Sequence, residues 1–338
     1  MTHRLATSLL VSATVAIATV AALPSARDDG APDIRAAYDA RVPLPRPVLF
    51  APGAISTGDD DAHVTFTARG DSVYFIKSTP TFGHWTVLVS HFADGKWNTP
   101  EVAPFSGQYQ DADVSISPDG ESMFFVSNRP SRAGAAPRED TDIWVMHRGP
   151  NGWGEPEHLE KLASDGYEWF PTVTRSGTIY FGSERREGNR GPAGTSDLWR
   201  SRFVDGQYTE PENLGDVINT AGQDIEGYIA PDESFLIFSS NGRPDTRGSY
   251  DLYISYQRDG RWTEPRNLGD IINSDAWDFG AKISPNGKYL FFTSNRGTLD
   301  KPLPRRLDYD ELIKALRAPG NGLRDVYQVD VSAVGLEK

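Results

Sequence analysis

A repeat of about fifty-five residues constrains this chain more than any other feature. Four copies carry an Asp-Gly-type turn, an aromatic residue and a proline three residues further on. They are Asp94-Gly95-Lys96-Trp97 with Pro100, Asn151-Gly152-Trp153 with Pro156, Asp205-Gly206-Gln207-Tyr208 with Pro211, and Asp259-Gly260-Arg261-Trp262 with Pro265. Eleven residues before each aromatic stands the head of a strand: Thr86, Asp142, Asp197 and Asp251. A period in this range, built from strands separated by turns, predicts a propeller or a solenoid.

Inside each repeat the order is constant. An alternating first strand ends in a turn such as Ser117-Pro118-Asp119-Gly120 or Ser284-Pro285-Asn286-Gly287. Proline presets φ there, and Gly or Asn tolerates the left-handed geometry that follows. A second strand is apolar on both faces, as in Met123-Phe124-Phe125-Val126 or Leu290-Phe291-Phe292, and suits a sheet packed between two others. It ends in Ser127-Asn128-Arg129, Ser183-Glu184-Arg185, Ser239-Ser240-Asn241 or Ser294-Asn295-Arg296. A third strand follows, headed by Asp142-Ile143-Trp144, Asp197-Leu198-Trp199, Asp251-Leu252-Tyr253 or Asp325-Val326-Tyr327, and the Asp-Gly turn leads to a fourth. Four antiparallel strands make one propeller blade. Blade cores begin near His63, Asp113, Pro171, Ile229 and Ala281, and the fifth lacks its own outer strand. The stretch from Arg46 to Phe50 supplies it, pairing with the strand around Asp325 to Asp330 and closing the ring, which removes free sheet edges. The fold class read here is all-β, a five-bladed β-propeller over residues 43–338, preceded by a linker at 23–42. Six blades would need a further degenerate repeat. A helical insert, Tyr309 to Leu316, interrupts the last repeat.

The Ser-Pro-Asp-Gly, Phe-x-Ser-Asn-Arg and Asp-Ile-Trp series resembles the TolB-type, WD-like propeller repeat of exported bacterial proteins. The likeness spans nearly the whole mature chain. It implies the propeller fold and leaves activity open, because such repeats occur in binding proteins, in peptidase-associated domains and in polysaccharide lyases. The first repeat departs most, with Ala68-Arg69-Gly70 at the turn and Lys77-Ser78-Thr79 in place of Ser-Asn-Arg.

The N-terminal residues point to export. A short basic start to Arg4 precedes an apolar run from Leu5 to Ala22, and Val20-Ala21-Ala22 has the small residues of a cleavage site. Residues 1–22 therefore read as a signal peptide, with a periplasmic or secreted destination and no membrane span after cleavage. The chain has no cysteine, so burial and hydrogen bonds must hold it without disulfides. Its net charge of −13 repels phosphate backbones and argues against nucleic acid. The expected partner is an envelope protein, a peptide or a glycan, bound by a monomer.

Two aligned positions carry the candidate chemistry. Six residues before the first-turn Ser, or its equivalent, every repeat has an acid: Asp61, Asp111, Glu168, Asp224 and Asp278. Two residues later come His63, Asp113, Phe170, Glu226 and Gly280. Strand alternation predicts that both sets share one face and meet at one channel mouth. An acid repeated in every blade suits a structural role, accepting hydrogen bonds from backbone N–H groups of the turn or pairing with Arg129, Arg185 or Arg296 of a neighbouring blade. Asp113 and Glu226 are surplus to the repeat and are read as oxygen ligands for a divalent cation, calcium. Tyr167, Trp169 and Trp277 flank the acids and offer a stacking surface, together with Tyr109 and Phe279. The aromatics after the Asp-Gly turns are read as blade packing.

No thiol nucleophile, zinc spacing, Gly-x-Ser-x-Gly elbow or phosphate-cradling loop is present. The order Asp61, Asp111, Glu168 is similar to the Asp, Asp, Glu set of five-bladed glycosidases, which implies a glycoside hydrolase or polysaccharide lyase as the competing reading. The favoured expectation is a binding or scaffold protein whose ligand meets the channel mouth.

Overall fold

The alternating first strand and the apolar second strand of each repeat pair antiparallel, and five such sheets form a five-bladed β-propeller in the computed structural model. It describes residues 36–80, 82–132, 134–299 and 302–336. From the axis outward, blade one runs Asp60–Phe66, Ser72–Ser78, Trp85–Ala93 and Glu101–Val102. Blade two runs Asp111–Ile116, Ser122–Ser127, Asp142–Gly149 and Glu157–His158. Blade three runs Glu168–Val173, Ile179–Ser183, Asp197–Ser201 and Glu212–Asn213. Blade four runs Asp224–Ile229, Phe235–Ser240, Asp251–Arg258 and Arg266–Asn267. Blade five runs Asp278–Ile283, Tyr289–Ser294 and Asp325–Asp330, and its outer strand is Val48–Leu49.

Closure follows the expected pairing, with Val48 opposite Gln328 and Leu49 opposite Tyr327. Phe50 N–H extends it by donating to Val326 O at 2.8 Å. The last blade therefore presents no open inner edge, because its outer strand comes from the beginning of the folded region. The anchoring starts earlier in the chain than expected. Of the stretch read as a linker, residues 36–42 are described, and Tyr38 is buried among Phe66, Tyr289 and Phe291. Gln328 Nε2 donates to its carbonyl at 2.7 Å. The proposed signal peptide and residues 23–35 lie outside the described residues. Among the described residues, no helix is long and apolar enough to cross a membrane.

The periodic aromatics pack where blades meet. Trp153 of blade two donates its indole N–H to the Tyr74 hydroxyl of blade one at 3.1 Å. Trp262 of blade four meets Tyr180 of blade three edge-on at 6.4 Å. Their turns need positive φ at both central residues, which Asp94-Gly95, Asp205-Gly206 and Asp259-Gly260 adopt. The insert forms the helix Tyr309–Leu316, opened by a capping box in which Asp308 and Glu311 exchange side-chain bonds with backbone N–H groups. Asn321 beyond it donates to Gly58 O at 3.1 Å and ties the insert to blade one.

Candidate functional site

The five repeated acids are fully buried, and each is held at home, with Asp111 Oδ2 and Asp224 Oδ1 left without a hydrogen-bond partner. Asp111 accepts from Ser127 Oγ at 2.6 Å and from Arg129 Nη2 at 2.8 Å. Asp278 takes Arg296 Nη2 and the N–H of Ser274. Glu168 takes Ser164 Oγ and Ser183 Oγ, with Arg185 Nη2 further off at 3.5 Å. Asp61 takes Lys77 Nζ at 2.6 Å and both polar groups of Thr57. Asp224 takes the N–H and hydroxyl of Thr220, while Arg243 caps the carbonyls of Val217 and Ile218 instead. These pairs lie within one blade, not between neighbours as expected. The arginine follows the second strand of the same blade, and its other N–H holds the incoming crossover, as Arg129 does with Phe105 O. Asp61, Glu168, Asp224 and Asp278 pin the chain entering their blades directly, and Asp111 does so through Arg129.

The second set is placed differently, because strand alternation fails at it. The pairing of first and second strands shifts register between Ala62 and Thr65, Ala112 and Ser115, Trp169 and Thr172, Ile225 and Tyr228, and Phe279 and Lys282. Each shift is a β-bulge, and its central residue has positive φ: His63 (53°), Asp113 (57°), Phe170 (44°), Glu226 (55°) and Gly280 (64°). Left-handed backbone costs a non-glycine residue about 1 kcal/mol or more, and four of five blades bear it. The bulge turns these side chains inward, where they meet across blades. His63 Nδ1 donates to Asp113 Oδ1 at 2.7 Å, and Nε2 lies 3.4 Å from Glu226 Oε1. The other Asp113 oxygen accepts the Phe170 N–H at 2.9 Å. The Phe170 and Phe279 rings stand edge-on to the imidazole at 5.1 and 5.5 Å. Blade five has Gly280 because a Cβ there would collide with the His63 ring.

Burial alone would depress the His63 imidazole, but the charges of Glu226 and Asp113 and their hydrogen bonds outweigh it and push it up to about 9. His63 is therefore an imidazolium at neutral pH. Beneath it, burial draws the Lys282 ammonium down to about 7 against the pull of Asp113 and Glu226. Its Nζ sits 4.1 Å from the Phe170 ring centroid. Asp113 and Glu226, singled out above for calcium, thus share one cationic ring between them. Among the described residues, no group of three or more His, Asp or Glu side chains is arranged to hold a metal ion.

Above this cluster opens a cavity of about 290 Å³ with His63, Asp113 and Glu226 in its lining. Its walls are aromatic: Phe82, Trp85, Trp169, Tyr250, Trp277 and Phe279, with Glu184 and Arg324 among them. Tyr167 stacks flat on Trp169 at 4.9 Å, and Trp169 meets Trp85 at 5.5 Å. Two buried atoms of the lining residues have no hydrogen-bond partner, Trp85 Nε1 and Glu226 Oε2, while His63 Nε2 stands against Glu226 Oε1. Of the residues anticipated at the mouth, His63, Asp113, Trp169, Glu226 and Trp277 line this cavity. Tyr167 backs it, and Asp61, Asp111, Glu168, Asp224 and Asp278 do not reach it. Sequence reasoning missed Trp85, Tyr250 and Arg324. All three occupy one repeat position, the residue before a third-strand head, which is Thr141 and Ser196 in the other blades.

The class defined by this fold is the closed five-bladed propeller with a bulge-lined axis. No family model and no curated protein matches the sequence. Among solved structures, an α-L-arabinofuranosidase from Lactobacillus brevis aligns over 83% of this chain and 92% of its own at 12% identity, with a TM-score of 0.50. A glycoside hydrolase aligns over 84% and 92% at 9% identity, also at 0.50. A protein assigned as TolB from Agrobacterium tumefaciens aligns over 80% and 90% at 17% identity, with a TM-score of 0.45. At these identities the likeness concerns the fold.

Proposed function

We propose that this chain is an exported binding protein that seats one sugar unit of a glycan in the aromatic cavity at the channel mouth. The observation that carries this reading is a pair of unpartnered buried atoms, Trp85 Nε1 and Glu226 Oε2, on residues that line the aromatic cavity. Trp85 Nε1 is a donor and Glu226 Oε2 an acceptor. A hydroxyl both donates and accepts, so a ring bearing several hydroxyls suits both. Its C–H faces suit Trp169 and Trp277. Export rests on the N-terminal sequence.

Binding is favoured over hydrolysis on the placement of the acids. Asp61, Asp111 and Glu168 are locked within their blades and do not line the cavity. Asp113 spends both oxygens, on His63 and on the Phe170 N–H, and is not free to act as acid or base, while Glu226 has one oxygen against the His63 ring and keeps the other for the ligand. Calorimetry of the mature chain against a panel of neutral oligosaccharides, envelope peptides and envelope proteins tests the reading. Micromolar or tighter glycan binding that is lost in Trp277→Ala is the expected result. Binding only of a peptide or protein would replace the glycan. Cleavage of an oligosaccharide that stops in Glu226→Gln would make the protein an enzyme.

A further inference from the structure

A second layer of the axis lies two residues beyond the bulges, where the five inner strands place Thr65, Ser115, Thr172, Tyr228 and Lys282. All five line a separate cavity of about 380 Å³, flanked by the turn prolines Pro118, Pro231 and Pro285. This is the opposite mouth of the channel from the aromatic cavity. The two mouths differ in charge. Asp113, Glu226 and Glu184 line the first, whereas no carboxylate lines the second, although the chain carries a net charge of −13. The second instead holds Lys282 at its inner end and the exposed Arg175 in its lining.

Lys282 Nζ is buried and has no hydrogen-bond partner. The acids nearest in charge, Asp113 and Glu226, bond to His63, and neither lies within ion-pair distance of Nζ. An ammonium buried without a partner is costly, and the Phe170 face relieves only part of that cost. Thr65 and Thr172 already spend their hydroxyls on the carbonyls of Val114 and Gly227 at 2.7 Å. The lining also carries an apolar set, Val173, Ile229 and Ile283, beside Ser117 and Ser284.

We propose that this second cavity binds an organic monocarboxylate with a compact apolar body. The carboxylate meets Lys282 Nζ, and the Ser115 and Tyr228 hydroxyls stand in the same lining. The body lies against the Val, Ile and Pro collar. One buried ammonium in an apolar wall matches a single negative charge better than a doubly charged phosphate. The site is independent of the glycan reading, since no residue is shared between the two linings.

Benzoate is the probe, with benzamide as its neutral isostere and inorganic phosphate as the hydrophilic anion, measured by calorimetry and thermal shift on the full mature chain. Benzoate should bind and raise the Tm, and benzamide and phosphate should be weaker by about tenfold, the worth of one charge-assisted hydrogen bond. Lys282→Met should lose benzoate binding. Arg175→Glu lies on the surface and leaves the fold intact, so it keeps the test valid should Lys282→Met fail to fold, and it should weaken benzoate severalfold. Equal binding of benzoate and benzamide, tighter binding of phosphate, or undiminished benzoate binding in either variant would overturn the proposal.

Discussion

Two residues apart on the same strands, the acid ring and the bulge ring of this propeller do opposite things. The acids at Asp61, Asp111, Glu168, Asp224 and Asp278 repeat in kind and are held inside their own blades. The bulge residues His63, Asp113, Phe170, Glu226 and Gly280 repeat only in backbone conformation. Their side chains differ in every blade and find partners across blades. In a repeat protein, a constant side chain thus marks the job every blade must do, and a constant backbone with variable side chains marks the surface where blades cooperate.

The largest test of this contrast removes an acid. Asp111→Ala leaves Arg129 buried without its carboxylate, which costs about 3–5 kcal/mol. A Tm drop on the order of ten degrees is expected, with glycan affinity of the folded fraction unchanged. A lost affinity at full stability would mean the acid ring serves the ligand after all.

The next is a pH effect that belongs to the bulge ring. His63 is raised to about 9 in the fold from an ordinary 6.5. Its contribution is therefore complete below pH 6.5 and is lost as the pH rises through 9. At 1.36 kcal/mol per unit this is about 3 kcal/mol. Chemical denaturation between pH 6 and 10 should show the decline, and His63→Gln should flatten it. A wild-type profile that is already flat would break the electrostatic account of the cluster.

Gly280→Ala sharpens the comparison at one backbone position. It combines positive φ with a clash against the His63 ring, for about 1–3 kcal/mol. Gly95→Ala has positive φ and open space around it and should cost less. Only the first should also weaken ligand binding, which calorimetry reads directly.

Glu168→Gln is expected to have the smallest effect. Burial pushes this carboxyl up to about 8, beyond what Ser164, Ser183 and the distant Arg185 recover. A raised carboxyl costs stability as pH climbs from its ordinary 4.5 to about 8, so the neutral isostere should lie within about 1 kcal/mol of wild type at acid pH, gain on it across that window and gain nothing further above pH 8. A loss as large as that of Asp111→Ala would show that all five acids act alike. In the same buffers a chelator should leave the melting curve in place, since His63 already stands between Asp113 and Glu226. A fall restored by calcium would put an ion beside those two acids.

Much of the architecture was legible because it is local and periodic. Asp-Gly turns, Pro-set turns and doubly apolar second strands each write one blade, and the unmatched fifth blade asked for an outer strand that the stretch from Arg46 to Phe50 supplies. The bulges left no such mark. His63, Asp113, Phe170 and Glu226 carry none of the glycine preference of left-handed backbone, and only Gly280 hinted at it, so alternation assigned both rings to one face. Trp85, Tyr250 and Arg324 were hidden because their blade equivalents, Thr141 and Ser196, are small and polar. Tyr38 was missed because a single aromatic in an Ala-, Asp- and Arg-containing stretch has no period to betray burial.

The closing strand also sets the order in which this molecule can be made. Ser56 and Val326 share hydrogen bonds across 270 residues of chain. The earliest segment to appear must wait, unpaired, until the last strand has been delivered. Such a distant first-to-last contact predicts a slow final step in refolding and an intermediate whose outermost strand is still open to strangers. That interval is where a chaperone would matter most.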